Sequence, residues 1–269
     1  MSVFDLSSRT VLVTGATSGI GFETARQLAE RGATVLVHGR TAEAAQAATD
    51  RLVATAGINA SQLCAFCADF TRLEEVETMA RRVLADHPRL DVLVNNAATA
   101  APERHTLTPD GNEIALQVNF LSHYLLTCLL EPALAREPGG RVVNVSSSLH
   151  RTASIQWSDP QRARRYSRLA AYAQSQLALT VFAADPRVTA VSVHPGVCET
   201  DLLSLYGIEG STAAQGAAHV VRLCNPAIDV INGAYYDRDK RVEPAPAATG
   251  DRTVRRLSKL ADQLVGQHA

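Results

Sequence analysis

Lysine is almost missing from this chain: Lys240 and Lys259 stand alone among 26 basic residues, and arginine supplies the rest. Such a bias suggests a GC-rich coding background, and it makes any lysine missing from a functional pattern harder to interpret. Charge of one sign is missing too. The formal net charge is −1 with no long run of either sign, which argues against a nucleic-acid footprint or a patch for anionic membranes. Met1 to Arg9 is short and polar, without the apolar stretch of a signal peptide, and no later apolar run reaches spanning length without a charge or a break. The expectation is a soluble, cytoplasmic protein with neither nucleic acid nor membrane as partner. The five cysteines form an odd set. Cys64 and Cys67 make a C-x-x-C, but in an apolar run that reads as a strand, positions i and i+3 face opposite sides. Core thiols are the better reading, and no metal ligand set is expected. There is no repeat, no Pro/Ser-rich linker and no shift in composition, so residues 1–269 read as one domain large enough to bury a substantial core.

What is present is alternation. Apolar runs at 10–14, 34–38, 63–67, 90–94, 141–146, 188–193 and 233–236 read as strands. Between them lie helical patterns near 19–31, 41–56, 71–87, 111–135, 170–184 and 211–224, with a Pro/Ala-rich loop at 243–250 before a last helix at 251–265. Alternating strands and helices predict right-handed βαβ units: a doubly wound α/β fold with a mostly parallel sheet and helices on both faces.

The stretch Thr14-Gly15-Ala16-Thr17-Ser18-Gly19-Ile20-Gly21 falls between the first strand and the first helix. Glycines there let bare backbone N–H groups approach a pyrophosphate, and the helix dipole adds partial positive charge at the same point. The second strand ends Val37-His38-Gly39-Arg40. An acidic residue here would bind a ribose 2′-hydroxyl; none is present, and the planar fork of Arg40 suits a 2′-phosphate. Further signals sit at strand ends, where doubly wound sheets bind their ligands. They are Asp69 and Phe70, then Asn95-Asn96-Ala97-Ala98, Ser146-Ser147-Ser148, and His194-Pro195-Gly196-Val197-Cys198-Glu199-Thr200. Asn119 lies inside a helix, and Tyr172 follows Ser147 in Ala171-Tyr172-Ala173-Gln174-Ser175-Gln176.

Jointly and in this order, these residues resemble the short-chain dehydrogenase/reductase family, most closely its retinol-dehydrogenase-like branch. Thr108-x-Asp110-Gly111, Val118-Asn119 with His123, and Gly233-Ala234-Tyr235-Tyr236 fit that branch. The resemblance implies a Rossmann fold with seven strands in the order 3-2-1-4-5-6-7 and an NADP(H) cofactor. It places cofactor contacts at Gly15, Thr17, Ser18, Gly19, Ile20, Gly21, Arg40, Asp69, Phe70, Asn95, Ala97, Pro195, Gly196, Val197 and Thr200. It places catalysis at Asn119, Ser147 and Tyr172. The branch's membrane anchor has no counterpart among these residues, so the resemblance carries no expectation of membrane-bound retinoid metabolism.

One position departs decisively. The family pattern Y-x-x-x-K reads Tyr172-x-x-x-Gln176 here. Residues i and i+4 share a helix face, so Gln176 stands where the lysine would. An amide can hydrogen-bond the nicotinamide ribose but carries no charge to lower the tyrosine pKa. Since a close cation lowers a pKa by roughly one to three units, its loss corresponds to about ten- to a thousandfold in rate. Arg164, Arg165 and Arg168 precede Tyr172 and supply charge only if their loop folds back. The segment from Tyr172 to His194 is also shorter than the branch pattern. The helix carrying Tyr172 should end early, at Asp185-Pro186; in the family it commonly builds a four-helix dimer interface, so a monomer or an atypical dimer is expected.

The substrate side points to His150, Trp157, Leu202 and Tyr206, with Leu203 and Leu205, as an apolar pocket for a small-molecule carbonyl or alcohol. Packing within the loops is the competing reading of Trp157 and the leucines. The leading function is hydride transfer between nicotinamide and that carbonyl or alcohol. The alternatives are an NADP-binding sensor or partner subunit with little redox turnover, and a non-redox biosynthetic step on the same scaffold.

Overall fold

The central strands send apolar residues to both faces in alternation, so the sheet is covered on both sides. Val11, Val13, Val35, Val37, Val92, Val94, Val143, Val191 and Val193 pack into one cluster, while Leu12, Leu36, Leu93, Val142 and Ala190 pack into the other. That period of two makes a parallel sheet buried between helical layers the only economical arrangement. A computed structural model describes residues 4–135, 140–185, 187–199 and 210–266. Chain order is β1 (Thr10–Val13), α1 (Gly19–Ala29), β2 (Thr34–Gly39), α2 (Ala42–Ala56), β3 (Leu63–Cys67), α3 (Leu73–Asp86) and β4 (Val92–Asn95). There follow α4 (Ile114–Leu116), a π-helical turn (Gln117–Leu121), α5 (Ser122–Leu134), β5 (Arg141–Val145), a 3₁₀ turn (Ser148–Thr152), α6 (Arg168–Phe182) and β6 (Ala190–His194). α7 (Ala213–Leu223), β7 (Tyr235–Asp237), β8 (Lys240–Val242) and α8 (Asp251–Val265) complete it.

The strand order among the described residues is β3-β2-β1-β4-β5-β6-β7-β8, parallel as far as β7. The expected seven strands become eight. β8 pairs antiparallel with β7, with Asp237 opposite Lys240 across the two-residue turn Arg238-Asp239. Arg238 adopts φ +54 there, a left-handed conformation usually left to Gly or Asn, which is why no turn signal announces the hairpin.

α1, α2 and α7 cover one face, and α3, α5 and α6 the other. α6 is held to β5 by polar contacts: Ser146 Oγ lies 2.8 Å from Thr180 Oγ1, and Asn144 donates to the Leu179 carbonyl at 3.4 Å. Outside α5 and α6 lies α8, whose Val254, Leu257 and Ala261 are buried with Phe120, Tyr124, Leu177 and Phe182. The apolar stretch Ile114–Leu134 is long enough to cross a bilayer, but most of it is buried inside the protein. Cys64 leans into the cluster beneath β3, as a core thiol would.

Candidate active site

The glycine turn is tight because it has to be. Gly15 and Gly19 have φ of +62 and +53. A Cβ on Gly15 would lie 2.8 Å from the Ala97 Cα, and one on Gly21 would lie 2.2 Å from the Gly15 carbonyl oxygen. Ser18 caps α1 with extended backbone and is exposed. It thus leaves the first-turn N–H groups, which have no intrahelical partner, open to an anion. The residues present therefore fit a dinucleotide.

Two buried histidines hold this turn from behind. The His38 Nδ1 accepts from the Gly15 N–H at 2.9 Å, its Nε2 donates to the Ala68 carbonyl at 3.0 Å, and its ring stacks on Phe70. His123 donates from Nδ1 to the Asn119 carbonyl at 3.1 Å, which leaves Nε2 to accept from the Thr14 hydroxyl at 3.1 Å. Thr14 in turn accepts the backbone N–H groups of Asn96 and Ala97 at 2.8 and 3.0 Å. Burial drops both histidine pKa values to about 4, so the rings are neutral in the bonding pattern just described. Asn96 also donates to the Thr14 carbonyl at 2.9 Å. Thr14, His38 and His123 all stand in the motifs read from the sequence, but their role as supports of the turn comes only from proximity in the fold.

At the adenosine end, Arg40 stands exposed after β2. Arg51 reaches back from α2 to the Thr17 carbonyl at 3.2 Å and lies over the Phe22 ring. It brings a second cation to the turn from a position that carries no motif. Asp69 accepts from Thr71 N and Oγ1 at 2.9 and 2.8 Å, shaping the loop after β3. Phe70 is buried between His38 and His123, so its ring packs rather than lines the cleft. The Asn95 side chain is likewise corrected. It is fully buried and donates to Asn144 Oδ1 and Thr127 Oγ1 at 2.9 and 3.2 Å, tying β4 to β5.

Pro195 to Glu199 folds back on Ser211, whose N–H donates to the Val197 carbonyl at 2.8 Å and whose carbonyl accepts from Glu199 N at 2.9 Å. Gly196 has φ +92. A Cβ on Gly216 would lie 2.5 Å from Cys198 Sγ and 3.5 Å from Ile20, so this segment packs against the start of α1. Thr200, Leu202, Leu203, Leu205 and Tyr206 lie outside the described residues.

Of the catalytic candidates, Ser147 follows the end of β5, Tyr172 and Gln176 lie on α6, which packs beside it, and Asn119 lies in the π-helical turn. Ser147 caps the 3₁₀ turn, accepting from Leu149 N at 3.2 Å, and its carbonyl accepts from His150 Nδ1 at 2.8 Å. One residue earlier, Ser146 Oγ lies 3.4 Å from the Gln176 carbonyl. Tyr172, one turn before Gln176, is half-buried and packs with Tyr166 against Ala101, Ala115 and Ala171. Asn119, in the π-helical turn, accepts from Thr99 N at 2.8 Å and donates to Ser175 Oγ at 3.0 Å. The Ser175 hydroxyl donates to the Tyr172 carbonyl at 2.8 Å. Asn119 thereby fixes α6 at the residue that matters. Gln176 is buried, and its side-chain amide makes no hydrogen bond among the described residues. Arg168 spends its Nε on the Ala101 carbonyl at 2.6 Å, while Arg164 and Arg165 border a separate pocket.

Of the expected pocket residues, His150 is buried away from the surface, and Trp157 makes the loop-packing contacts weighed against a pocket role. His150 is fully buried; besides the Ser147 carbonyl it accepts from Ala245 N at 3.1 Å and packs on Tyr235, so it touches no cleft. Trp157 sits under the Arg256 guanidinium, 4.3 Å from the ring centroid, and packs against the α5–α6–α8 cluster. A ring in a polar loop fastens that loop to α8.

The sequence model of the short chain dehydrogenase family matches residues 9–207. Human retinol dehydrogenase 13 is 33% identical over 98% of this chain and 86% of its own. DnrU of Streptomyces sp. (strain C5), named as a daunorubicin C-13 ketoreductase, is 38% identical over 91% of this chain and 88% of its own. The crystal structure of an uncharacterized protein from Mycobacterium paratuberculosis superposes with a TM-score of 0.79. It is 30% identical and covers 98% of this chain and 96% of its own. The chain belongs to the short-chain dehydrogenase family, near its retinol-dehydrogenase-like branch, and is an oxidoreductase of that family.

Proposed function

We propose that this member of the short-chain dehydrogenases is an NADP(H)-dependent oxidoreductase. It acts on a carbonyl or alcohol of a mostly apolar small molecule. The observation that supports the reading is the pair of contacts from Ser146 to α6, at the Gln176 carbonyl and Thr180 Oγ1, which hold the end of β5, where Ser147 follows, against the helix that carries Tyr172. Arg40 and Arg51 at the adenosine end, with no carboxylate closing β2, support a 2′-phosphate.

When bound, the nicotinamide supplies or receives the hydride. The Tyr172 phenol passes a proton to the substrate oxygen as hydride arrives at its carbon, and the Ser147 hydroxyl holds that oxygen. Asn119 and Ser175 fix the Tyr172 turn. The Gln176 amide is suited to a ribose hydroxyl. His150 and His38 do no proton transfer; their nitrogens are committed to backbone groups.

Titration with NADPH and NADH, followed by an aldehyde and ketone panel, tests the proposal. NADPH binding with loss of its absorbance supports it. Failure to bind either cofactor rejects it. A second reading, cofactor binding with little turnover, is favoured by one feature only: Gln176 brings no charge to Tyr172. Tight NADPH binding with no turnover across the panel would select it.

A further inference from the structure

The loop between the 3₁₀ turn and α6 carries a cluster that hydride transfer leaves unused. Arg162, Arg164 and Arg165 converge with Gln156, Ser158 and Asp159 on a cavity of about 320 Å³. The Arg162 Nε is buried with no hydrogen-bond partner. Among the described residues none of the three guanidiniums forms an ion pair or a side-chain hydrogen bond. A buried, unsatisfied charged donor is costly, and it marks a place where an acceptor belongs.

The carboxylates nearby do not fill that role. Asp159 accepts the backbone N–H groups of Ala163 and Arg164, each at 3.0 Å. Glu113, which faces Arg162, accepts those of Ala115 and Leu116 at 3.1 and 2.8 Å. Three guanidiniums against two carboxylates leave the cavity net positive, and Arg256, stacked over Trp157 beside it, adds to the excess.

The cavity is also preformed. Gln174, two residues after Tyr172, accepts from Gln156 N at 3.0 Å and donates to the Pro160 carbonyl at 2.8 Å. Gln161 accepts from Glu113 N at 2.7 Å and donates to Asn112 Oδ1 at 2.8 Å. Arg162 itself is held at φ +52, a conformation arginine keeps only where its surroundings impose it.

We propose that this cavity is a second anion site, built for a phosphate group and separate from the cofactor cleft. Planar guanidinium forks with free donors match the several acceptor oxygens of a phosphate better than the two of a carboxylate. Through Gln174 the site is fixed to the helix that carries Tyr172. The phosphate is the distal end of a phosphorylated substrate or part of a carrier arm that delivers one. The anion site stands by itself; only its use by a substrate rests on the reading above.

Trp157 is the only tryptophan of the chain and lies between two cavity residues, so its fluorescence reports the site directly. Potassium phosphate, titrated into the cofactor-free protein at ionic strength held constant with potassium chloride, should give a saturable change. In the double variant Arg164→Gln, Arg165→Gln, both exposed positions, binding should weaken at least tenfold. Arg81→Gln, an exposed arginine on α3, should leave it intact. Phenyl phosphate binding more tightly than dimethyl phosphate would identify a phosphomonoester substrate, and the reverse order a phosphodiester carrier arm; both support the site. A phosphate response no larger than that to chloride, or one that survives in the double variant, overturns it. A response to phosphatidylserine vesicles but not to phosphate also overturns it, in favour of a membrane-facing surface.

Discussion

His150 and Ser147 form one unit: the imidazole Nδ1 donates to the serine's own carbonyl at 2.8 Å, while Nε2 accepts from the Ala245 N–H at 3.1 Å. The ring braces the serine loop against the Pro/Ala-rich loop before α8. His150→Phe keeps the bulk and the backbone N–H of residue 150 on the Ser147 carbonyl, but it removes that carbonyl's side-chain donor and leaves the buried Ala245 N–H without a partner, a loss of about 1–3 kcal/mol. The expected result is a Tm lower by several degrees and a kcat reduced at least tenfold with KM little changed. A change confined to KM would mean that His150 meets substrate after all. Burial holds its pKa below the usual histidine value, so the neutral form prevails at pH 7, and a protonated ring could no longer accept from Ala245. His150→Asn, which can still donate to Ser147, should recover part of the loss.

Gln176→Lys restores a charge at the position one turn beyond Tyr172. Turnover should rise by about ten- to a thousandfold, and the optimum for alcohol oxidation should move toward neutral pH, because a cation favours the phenolate. The ratio of forward to reverse kcat/KM at fixed pH should not change, since the reaction equilibrium sets it. Steady-state kinetics across pH 6 to 10 decide the matter. No turnover in either form would mark a cofactor-binding protein.

Arg40→Gln removes the exposed fork at the end of β2. Binding of NADPH should weaken by about ten- to a hundredfold, the loss of one to two charge-assisted hydrogen bonds, with NADH almost unaffected. Arg51→Gln should act in the same direction but more weakly, because Arg51 already spends a donor on the Thr17 carbonyl. Equal losses for both cofactors would show that these arginines do not read the 2′-phosphate.

His38 and His123 make the glycine turn acid-sensitive. Both titrate near 6.5 when exposed and at about 4 in the fold, through burial. Between those values the unfolded chain binds more protons than the folded one, so stability is complete above pH 6.5 and declines as pH falls toward 4. Each ring contributes roughly 3 kcal/mol to that decline, a large fraction of a typical stability. Urea midpoints measured from pH 7.5 to 4.5 should fall steeply. His123→Asn should flatten the profile. A flat wild-type profile would mean that one or both rings are solvated.

Helices and parallel strands were legible in the sequence because their apolar periods are strong; β3 at Leu63–Cys67 coincides with its expected span. β8 was not, because Lys240-Arg241-Val242 is too short to show a period and its turn lacks glycine. The glycine turn, Ser147 and Tyr172 were legible as spaced residue types. Roles set by distant partners were not. His150 owes its burial to Ala245 and Tyr235, and Trp157 owes its place to Arg256, far along the chain. The same limit hid Arg51 and the cavity at Arg162. A side chain's environment comes from residues that no local pattern encodes.

The outer face of α5 and α6 is covered by the chain's own last helix. α8 lays Val254, Leu257 and Ala261 on it, and a polar ring seals one edge. Tyr124 donates to Asp262 at 2.5 Å, Arg187 donates to the Tyr124 oxygen at 2.9 Å and pairs with Asp185, and Ser258 donates to Asp185 at 2.9 Å. A face whose described apolar residues are covered by its own chain offers a second copy little to bury. Light scattering should therefore give the mass of one chain at micromolar concentrations. Leu257→Asp, which places a charge in that contact, should loosen α8, lower Tm and produce dimers or larger species through the uncovered face. A wild-type dimer that protects α6 from hydrogen exchange would overturn the proposal. A dimer that protects other elements would place the interface elsewhere and leave the role of α8 intact.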